Sequence, residues 1–184
     1  MRILICLLSL LILNVGISFA QEEEVIAYPL DPQTQIITYV DVVEMPGLSA
    51  NELFERAFRW ANEYYINPKD VIRESDVLEG KLFCKARFKI ENPADKKGVV
   101  SGAGNVMYSL LIEFKDDKYR YKIDDIHWIR TSKFPIEKWM DTENSYYKEV
   151  YTDYLKQAHE HCNKLVIELQ QGMEKTVEEA TEDW

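Results

Sequence analysis

Strict alternation of apolar and polar residues most constrains what this chain can fold into. From Leu82 to Ile90 every second residue is apolar, and the residues between them are mostly cationic. The same period of two recurs over residues 105–115 and 119–124. Because successive side chains of a strand point to opposite faces of a sheet, the pattern predicts three neighbouring strands with one apolar and one polar face.

Two segments with helical spacing can cover the apolar face. A capping box, Ser49-Ala50-Asn51-Glu52, starts the first helix, and Pro68 stops it. A wide apolar stripe from Tyr147 to Leu169 predicts a long last helix. Asn144 or Ser145 is its expected N-cap.

The order of elements predicts the fold class. A strand over residues 36–45 precedes the first helix, and a short strand around Val71 and Ile72 follows it. The order β-α-β-β-β-β-α predicts an α+β domain with a curved antiparallel sheet, one face of which is covered by the long C-terminal helix. We expect Gly172 to weaken that helix near its end.

The N-terminal segment is typical of a secretory signal peptide. Arg2 precedes an apolar run from Ile3 to Leu13, and the small residues Ser18 and Ala20 lie just before Gln21. The run is too short to be a good membrane span. We therefore predict cleavage after Ala20 and a periplasmic or secreted protein without a membrane span.

The predicted segments of the chain are a signal peptide (1–20), an extended leader (21–35), a single α+β domain (36–175) and an acidic tail (176–184). The formal net charge of −10 becomes −11 when Arg2 is removed with the signal peptide. So acidic a protein repels nucleic acid overall, and we predict no nucleic-acid partner.

Several stretches resemble a known family. They are Tyr39 to Ser49, Glu52-Leu53, Arg56-Ala57 and the hairpin from Ile112 to Tyr121. The family is an exported bacterial one, known as a domain of unknown function with a TATA-binding-protein-like (TBP-like) fold. The resemblance covers about Ile36 to Ile126 and implies that fold. Asp117 stands where the family's hairpin often has glycine, and Asp tolerates the left-handed conformation at some strain. The family has no assigned activity, so no functional residues are implied.

The sequence contains no recognisable catalytic or metal-binding constellation. His159 and His161 lie two apart on a helix, whereas a helical metal pair needs a spacing of three or four. Asp125 and His127 could form an acid–base dyad, but a plain hydrogen bond fits a pair without a nucleophile better. The glycine-rich stretch 101–104 leads into a strand, which disfavours phosphate binding. We predict a protein that is not an enzyme and holds no metal or cofactor.

Two cysteines remain after the predicted processing. Cys84 lies on the apolar strand face and Cys162 on the apolar stripe of the last helix. An exported protein can keep a disulfide, and one between these two would tie the sheet to the helix. The alternative is two buried free thiols that behave as small apolar groups.

The polar sheet face is the first candidate for binding. It carries six cations against two acids, Glu113 and Asp124, with apolar residues between them. The candidate binding residues are Phe83, Lys85, Arg87, Lys89, Lys115, Arg120 and Lys122. Such a face could hold an anionic glycan, a lipid headgroup or an acidic protein segment. The alternative is a solvated face whose lysines deter edge-to-edge pairing.

The aromatic inner face is the rival candidate. Tyr108, Tyr121, Tyr151 and Tyr154 could line a pocket for a small amphipathic ligand between the sheet and the long helix. Such aromatic residues also serve as ordinary core. We predict a non-catalytic binding module that uses the outer sheet face or a sheet–helix groove, with a structural or assembly role in the cell envelope as a further alternative.

Overall fold

The structure is a computed structural model that describes residues 26–176. The predicted signal peptide and most of the acidic tail lie outside the described residues. In chain order the elements are β1 (Tyr39–Glu44), α1 (Ala50–Tyr64), α2 (Pro68–Val71), β2 (Ile72–Asp76), β3 (Lys81–Glu91), β4 (Gly102–Lys115), β5 (Lys118–Ile129), β6 (Lys133–Pro135), a 3₁₀ helix (Ile136–Trp139) and α3 (Val150–Glu174).

One antiparallel sheet of six strands forms the body of the protein. Its order is β1-β5-β4-β3-β2, and β6 also pairs with β5. The predicted α+β order is confirmed, with α2, β6 and the 3₁₀ helix as additional short elements. No helix within residues 26–176 is long and apolar enough to cross a membrane.

The alternation assigns the two faces of the sheet as predicted. In β3 the side chains of Leu82, Cys84 and Ile90 are fully buried, while Arg87 and Lys89 are exposed. Helices α1 and α3 pack on the buried face, where their apolar stripes join one hydrophobic core with the strands. The opposite face of the sheet, hereafter the outer face, carries the charged residues.

The start of α1 follows the capping box predicted from the sequence. The Ser49 hydroxyl accepts the Glu52 N–H at 3.3 Å, and the Glu52 carboxylate accepts the Ser49 N–H at 2.9 Å. The β4–β5 turn holds the same segment from the other side, because Asp117 Oδ1 accepts the Gly47 N–H at 2.7 Å. Asp117 has φ 67°, the left-handed conformation expected there.

The long helix begins later than predicted. Asn144 and Ser145 were the expected N-caps, but α3 begins at Val150. Asn144 instead accepts the Tyr146 N–H at 2.9 Å, and this local bond makes a turn before the helix. The N-cap is Glu149, whose side chain makes no capping hydrogen bond.

Gly172 does not end α3, which continues to Glu174, and this glycine lets α3 approach α1. A Cβ atom at residue 172 would lie 2.3 Å from Cδ1 of Trp60. Close by, the guanidinium of Arg59 donates to the Gly172 and Lys175 carbonyls at 3.2 and 2.8 Å, and Arg56 donates to the Met173 carbonyl at 2.9 Å. These carbonyls have no partner within the helix, so α1 supplies the caps that the end of α3 lacks.

The described part of the predicted extended leader contains a tight turn. Asp31 Oδ1 accepts the backbone N–H groups of Gln33 and Thr34 at 3.0 and 2.8 Å, and these bonds lower the pKa of the Asp31 carboxyl. Tyr28 packs edge-on against His159 of α3, with ring centroids 5.5 Å apart. The short side chain of aspartate at the start of such a segment favours this turn over an extended chain.

Candidate functional site

Two of the predicted binding residues are held in ion pairs on the outer face. Arg120 lies directly across from Glu113, and its Nε donates to Glu113 Oε2 at 2.8 Å. Lys122 Nζ lies 2.7 Å from Asp124 Oδ2 on the same strand. Exposed pairs of this kind contribute little to stability, but they leave these two cations locally neutralised.

Three of the four cations of β3 have no such partners, whereas Lys81 pairs with Glu74 of β2. In β4 the residues opposite Lys85, Arg87 and Lys89 are Ser109, Met107 and Asn105, in that order, and none of them is acidic. On the other side β2 pairs with β3 only between Lys81 and Cys84 among the described residues. Because neither neighbour offers a carboxylate, the three β3 cations have no ion pair within residues 26–176. Lys85 does lie 5.8 Å from the centroid of the Phe83 ring.

A groove of about 700 Å³ lies beside this unpaired stretch of β3. Arg73, Lys85 and Arg87 border it, together with Asp70 and the loop between α1 and α2. Arg73 also has no ion pair within the described chain. We call Arg73, Lys85, Arg87 and Lys89, with the groove beside them, the cationic edge.

The inner wall of the groove combines aromatic rings with neutral polar groups. The hydroxyls of Tyr65 and Tyr108 lie 3.4 Å apart, and burial raises the pKa of both phenols. The His161 ring stacks on Phe88 at 3.9 Å, and burial lowers the pKa of His161 to about 4. His161 Nε2 has no hydrogen-bond partner in the described part of the chain. The wall can therefore exchange hydrogen bonds without offering a charge.

The seven predicted binding residues thus do not form one site. Phe83, Lys85, Arg87 and Lys89 lie together on β3, whereas Arg120 and Lys122 are occupied by acids. Lys115 lies at the far end of β4, where it borders a separate depression of about 300 Å³.

The residues missing from the predicted set are Arg73, Tyr65 and His161, which belong to β2, the end of α1 and α3. One feature of the sequence indicates that residues beside β3 contribute to the site. The predicted second strand was much shorter than the third, so part of the third had to lack a neighbour on that side.

The four tyrosines of the predicted pocket lie in three places. Tyr108 faces the groove at the cationic edge, and Tyr121 borders another groove near β1. Tyr151 and Tyr154 pack against Trp139 at centroid distances of 6.1 and 5.6 Å. All four are at most 8 % exposed. They do not line one pocket, because the apolar side chains of α3 and of the sheet pack together in one hydrophobic core.

Asp125 and His127 do lie together, in the arrangement of a plain hydrogen bond. His127 Nδ1 donates to the Asp125 backbone carbonyl at 2.7 Å, and the same nitrogen lies 3.5 Å from the Asp125 carboxylate. The Lys133 ammonium also contacts that carboxylate. Lys133 therefore competes for the carboxylate that an acid–base dyad would use.

His159 and His161 face opposite sides of α3, as their spacing predicts. Asn163 donates to His159 Nε2 at 2.9 Å, so the Nδ1–H of His159 donates to the Tyr39 hydroxyl at 2.9 Å. His161 stacks on Phe88 near the opposite edge of the sheet. Within residues 26–176 no three His, Cys, Asp or Glu side chains converge as metal ligands.

The disulfide considered for Cys84 and Cys162 is absent. Both are free thiols with 0 % exposure, and they lie in the same core. Burial raises the pKa of each thiol to about 12, since the thiolate loses its hydration there. They behave as small apolar groups rather than as reactive cysteines.

The fold has relatives among known proteins. Residues 39–128 match the family described as "Domain of unknown function (DUF4468) with TBP-like fold". A DUF4468 family protein from Bacteroides ovatus ATCC 8483 is similar with a TM-score of 0.63 and 13 % identity, over 79 % of this chain and 91 % of that one. A TBP-like protein from Parabacteroides distasonis ATCC 8503 is similar with a TM-score of 0.59 and 15 % identity, over 77 % and 94 %. No curated protein matches the sequence significantly. The resemblance carried by the sequence is confirmed, and it extends to the fold.

Proposed function

We propose that this chain, whose residues 39–128 belong to the DUF4468 family of unknown function, is a non-catalytic binding module that takes an anionic partner along its cationic edge. The observation that carries the proposal is the set of four cations, Arg73, Lys85, Arg87 and Lys89, that have no ion pair within the described residues. With the predicted cleavage after Ala20, the module acts in the periplasm or outside the cell.

The distribution of charge favours binding of an anion at the cationic edge over the rest of the surface. The whole chain has a formal net charge of −10, so an anion is repelled by most of the molecule. Elsewhere on the outer face the cations Lys81, Lys118, Arg120 and Lys122 each lie within 4 Å of an acid, and Lys115, which has no ion pair within the described residues, borders a depression that Glu113 also lines. The binding free energy of an anionic partner should therefore be most favourable at the cationic edge, where the partner replaces water and mobile counterions rather than an acidic side chain.

The groove offers groups for binding rather than for catalysis. Its acidic residue, Asp70, is exposed, and its histidine, His161, has a pKa lowered to about 4 by burial. No nucleophile is paired with a base along this groove. Cations and neutral hydroxyls can hold and orient an anion, which is the role of a binding site.

A binding measurement with charge-reversal variants tests the proposal. The probes are poly-L-glutamate and a heparin-derived hexasaccharide, titrated into the chain starting at Gln21. We expect the Arg87→Glu/Lys89→Glu variant to weaken binding about tenfold or more, because two attractions become repulsions. Added salt should weaken wild-type binding, since exposed charges are screened over about 8–10 Å.

The matched control is Lys115→Glu/Lys118→Glu. It makes the same change in net charge on the same sheet face, but away from the groove. We expect its affinity to fall by less than about threefold. The proposal fails if neither probe binds at low salt, or if the two double variants lose affinity equally.

A further inference from the structure

We infer that the cationic edge binds its partner as an added β-strand, and that the partner is an extended polypeptide segment of another protein in which acidic and apolar residues alternate. The inference rests on the proposed function, because it names the class of partner for the same groove.

The backbone direction within β3 can be read from its two ends. The Gly80 carbonyl accepts the Phe114 N–H at 2.9 Å, and beyond the other end the Asn92 N–H donates to the Ser101 carbonyl at 2.8 Å. Both residues have even numbers, and both bonds run to the β4 side. Because the backbone groups of successive strand residues point to alternate sides, the odd-numbered residues of β3 point away from β4.

The side away from β4 is filled at both ends of β3. From Lys81 to Cys84 its neighbour is β2. At Glu91 the neighbour is the side-chain amide of Gln157, which accepts the Glu91 N–H and donates to the Glu91 carbonyl, both at 2.9 Å. This amide reproduces the pair of hydrogen bonds that a neighbouring strand would make.

Between these two ends the strand is open. Arg87 and Lys89 point their backbone N–H and C=O groups away from β4, and no strand of the described residues pairs with them on that side, since the pairing with β2 ends at Cys84. An unpaired row of donors and acceptors is a template for one more strand, and strand addition is a recurring mode of peptide recognition.

The side chains around the edge define the sequence that fits. Along the outer face, every second residue of an added strand would lie beside Arg87 or Lys89, where acidic side chains are favoured. The residues between them would face the inner wall, near Tyr65, the partly buried Phe88 ring and the His161 ring. Ile66, which is 97 % exposed at the lip of the groove, adds apolar surface on the same side.

A second copy of this chain fits the edge less well. Its own cationic edge would place like charges opposite each other. Its other sheet edge, β1, presents Val40, Val42 and Glu44 on the outer face, and Glu44 is near Lys118. A strand with alternating acidic residues from a different protein offers a carboxylate beside both Arg87 and Lys89 instead.

The experiment uses a blocked nine-residue peptide of alternating glutamate and valine. Its matched control is the same peptide N-methylated at every second residue, in each of the two registers, which keeps the charge but removes the backbone donors on one side. Amide hydrogen exchange of the chain starting at Gln21 is followed by NMR. We expect the amides of Arg87 and Lys89 to exchange more slowly with the peptide bound, while the Phe88 amide, which already faces β4, changes little.

We further expect one methylated register to bind at least about tenfold more weakly than the unmodified peptide. The heparin-derived hexasaccharide should bind without slowing exchange at Arg87 and Lys89. If both methylated peptides bind as well as the parent and these amides are unchanged, the strand-addition inference is overturned while the proposed function stands.

Two other outcomes also overturn the inference. If neither peptide nor oligosaccharide binds, the proposed function fails with it. If the same two amides become protected as the protein alone is concentrated, and sedimentation shows self-association, the occupant of the edge is a second copy of this chain.

Discussion

At the scale of single residues, burial decides which polar side chains keep their ordinary chemistry. His161 stacks on Phe88 and approaches Tyr108, with ring centroids 3.9 and 5.5 Å away. Burial, with a smaller contribution from the positive charge of Lys164, lowers the pKa of His161 to about 4. An exposed histidine in the unfolded chain titrates near about 6.5. The folded protein therefore holds this ring neutral at a pH where the unfolded chain protonates it.

This difference predicts a pH-dependent stability. Between about pH 6.5 and pH 4 the unfolded chain binds a proton that the folded chain does not, so the free energy of unfolding falls as the pH falls. From pH 7.5 to pH 4.5 the wild type should lose about 2 kcal/mol more than a His161→Phe variant, whose ring keeps the stacking. Urea unfolding of both proteins at the two pH values measures it. Parallel losses in the two proteins would contradict the prediction.

At the scale of elements, the contact between α1 and α3 depends on Gly172. Glycine has a low intrinsic helix propensity, and alanine at this position would stabilise an isolated helix by about 1 kcal/mol. Tertiary packing overrides that preference, because the Trp60 ring occupies the space that a Cβ atom would need. The same close approach allows Arg56 and Arg59 of α1 to reach the carbonyls at the end of α3.

We therefore expect Gly172→Ala to destabilise the protein despite its better helix propensity. A Cβ atom 2.3 Å from Trp60 Cδ1 must displace the ring or separate the helices, at a net cost of about 1–3 kcal/mol. The matched control is Gly102→Ala in β4, where a Cβ atom would meet nothing within 4 Å. Chemical denaturation measures both. An unfolding midpoint of Gly172→Ala equal to or above that of the wild type would show that the contact relaxes at no cost.

At the scale of the whole molecule, sheet and helices share a single core within the described residues. Cys84 from β3 and Cys162 from α3 belong to it, and neither is exposed. Reaction of these thiols with an external reagent requires the core to open, since burial also raises the pKa of each to about 12.

We expect both thiols to resist alkylation in the native protein and to react together when it unfolds. For the chain starting at Gln21, mass spectrometry after iodoacetamide treatment without reductant should show no adduct on the native protein and two adducts on the denatured protein. Rapid labelling of the native protein would show that the core opens locally. Failure of the denatured, unreduced chain to take up two adducts would show a disulfide instead.

Much of this architecture can be predicted from local patterns in the amino-acid sequence. The period of two fixes which side chains of Leu82 to Ile90 face the core, and the capping box at Ser49 starts α1. The left-handed conformation of Asp117 was implied by the family resemblance, because glycine often holds that place in the family's hairpin. Each of these features depends on neighbours within a few residues, so the sequence alone is enough to predict it.

Only the tertiary structure decided which of the cations are free. Arg120 and Arg87 look alike in the sequence, but the register of β4 places Glu113 opposite the first and Met107 opposite the second. The open stretch of β3 likewise exists because its pairing with β2 ends at Cys84. The four tyrosines of the predicted pocket lie in three places because of how the helices pack on the sheet. Register and packing join residues far apart in the chain, and alternation by itself leaves those pairings undetermined.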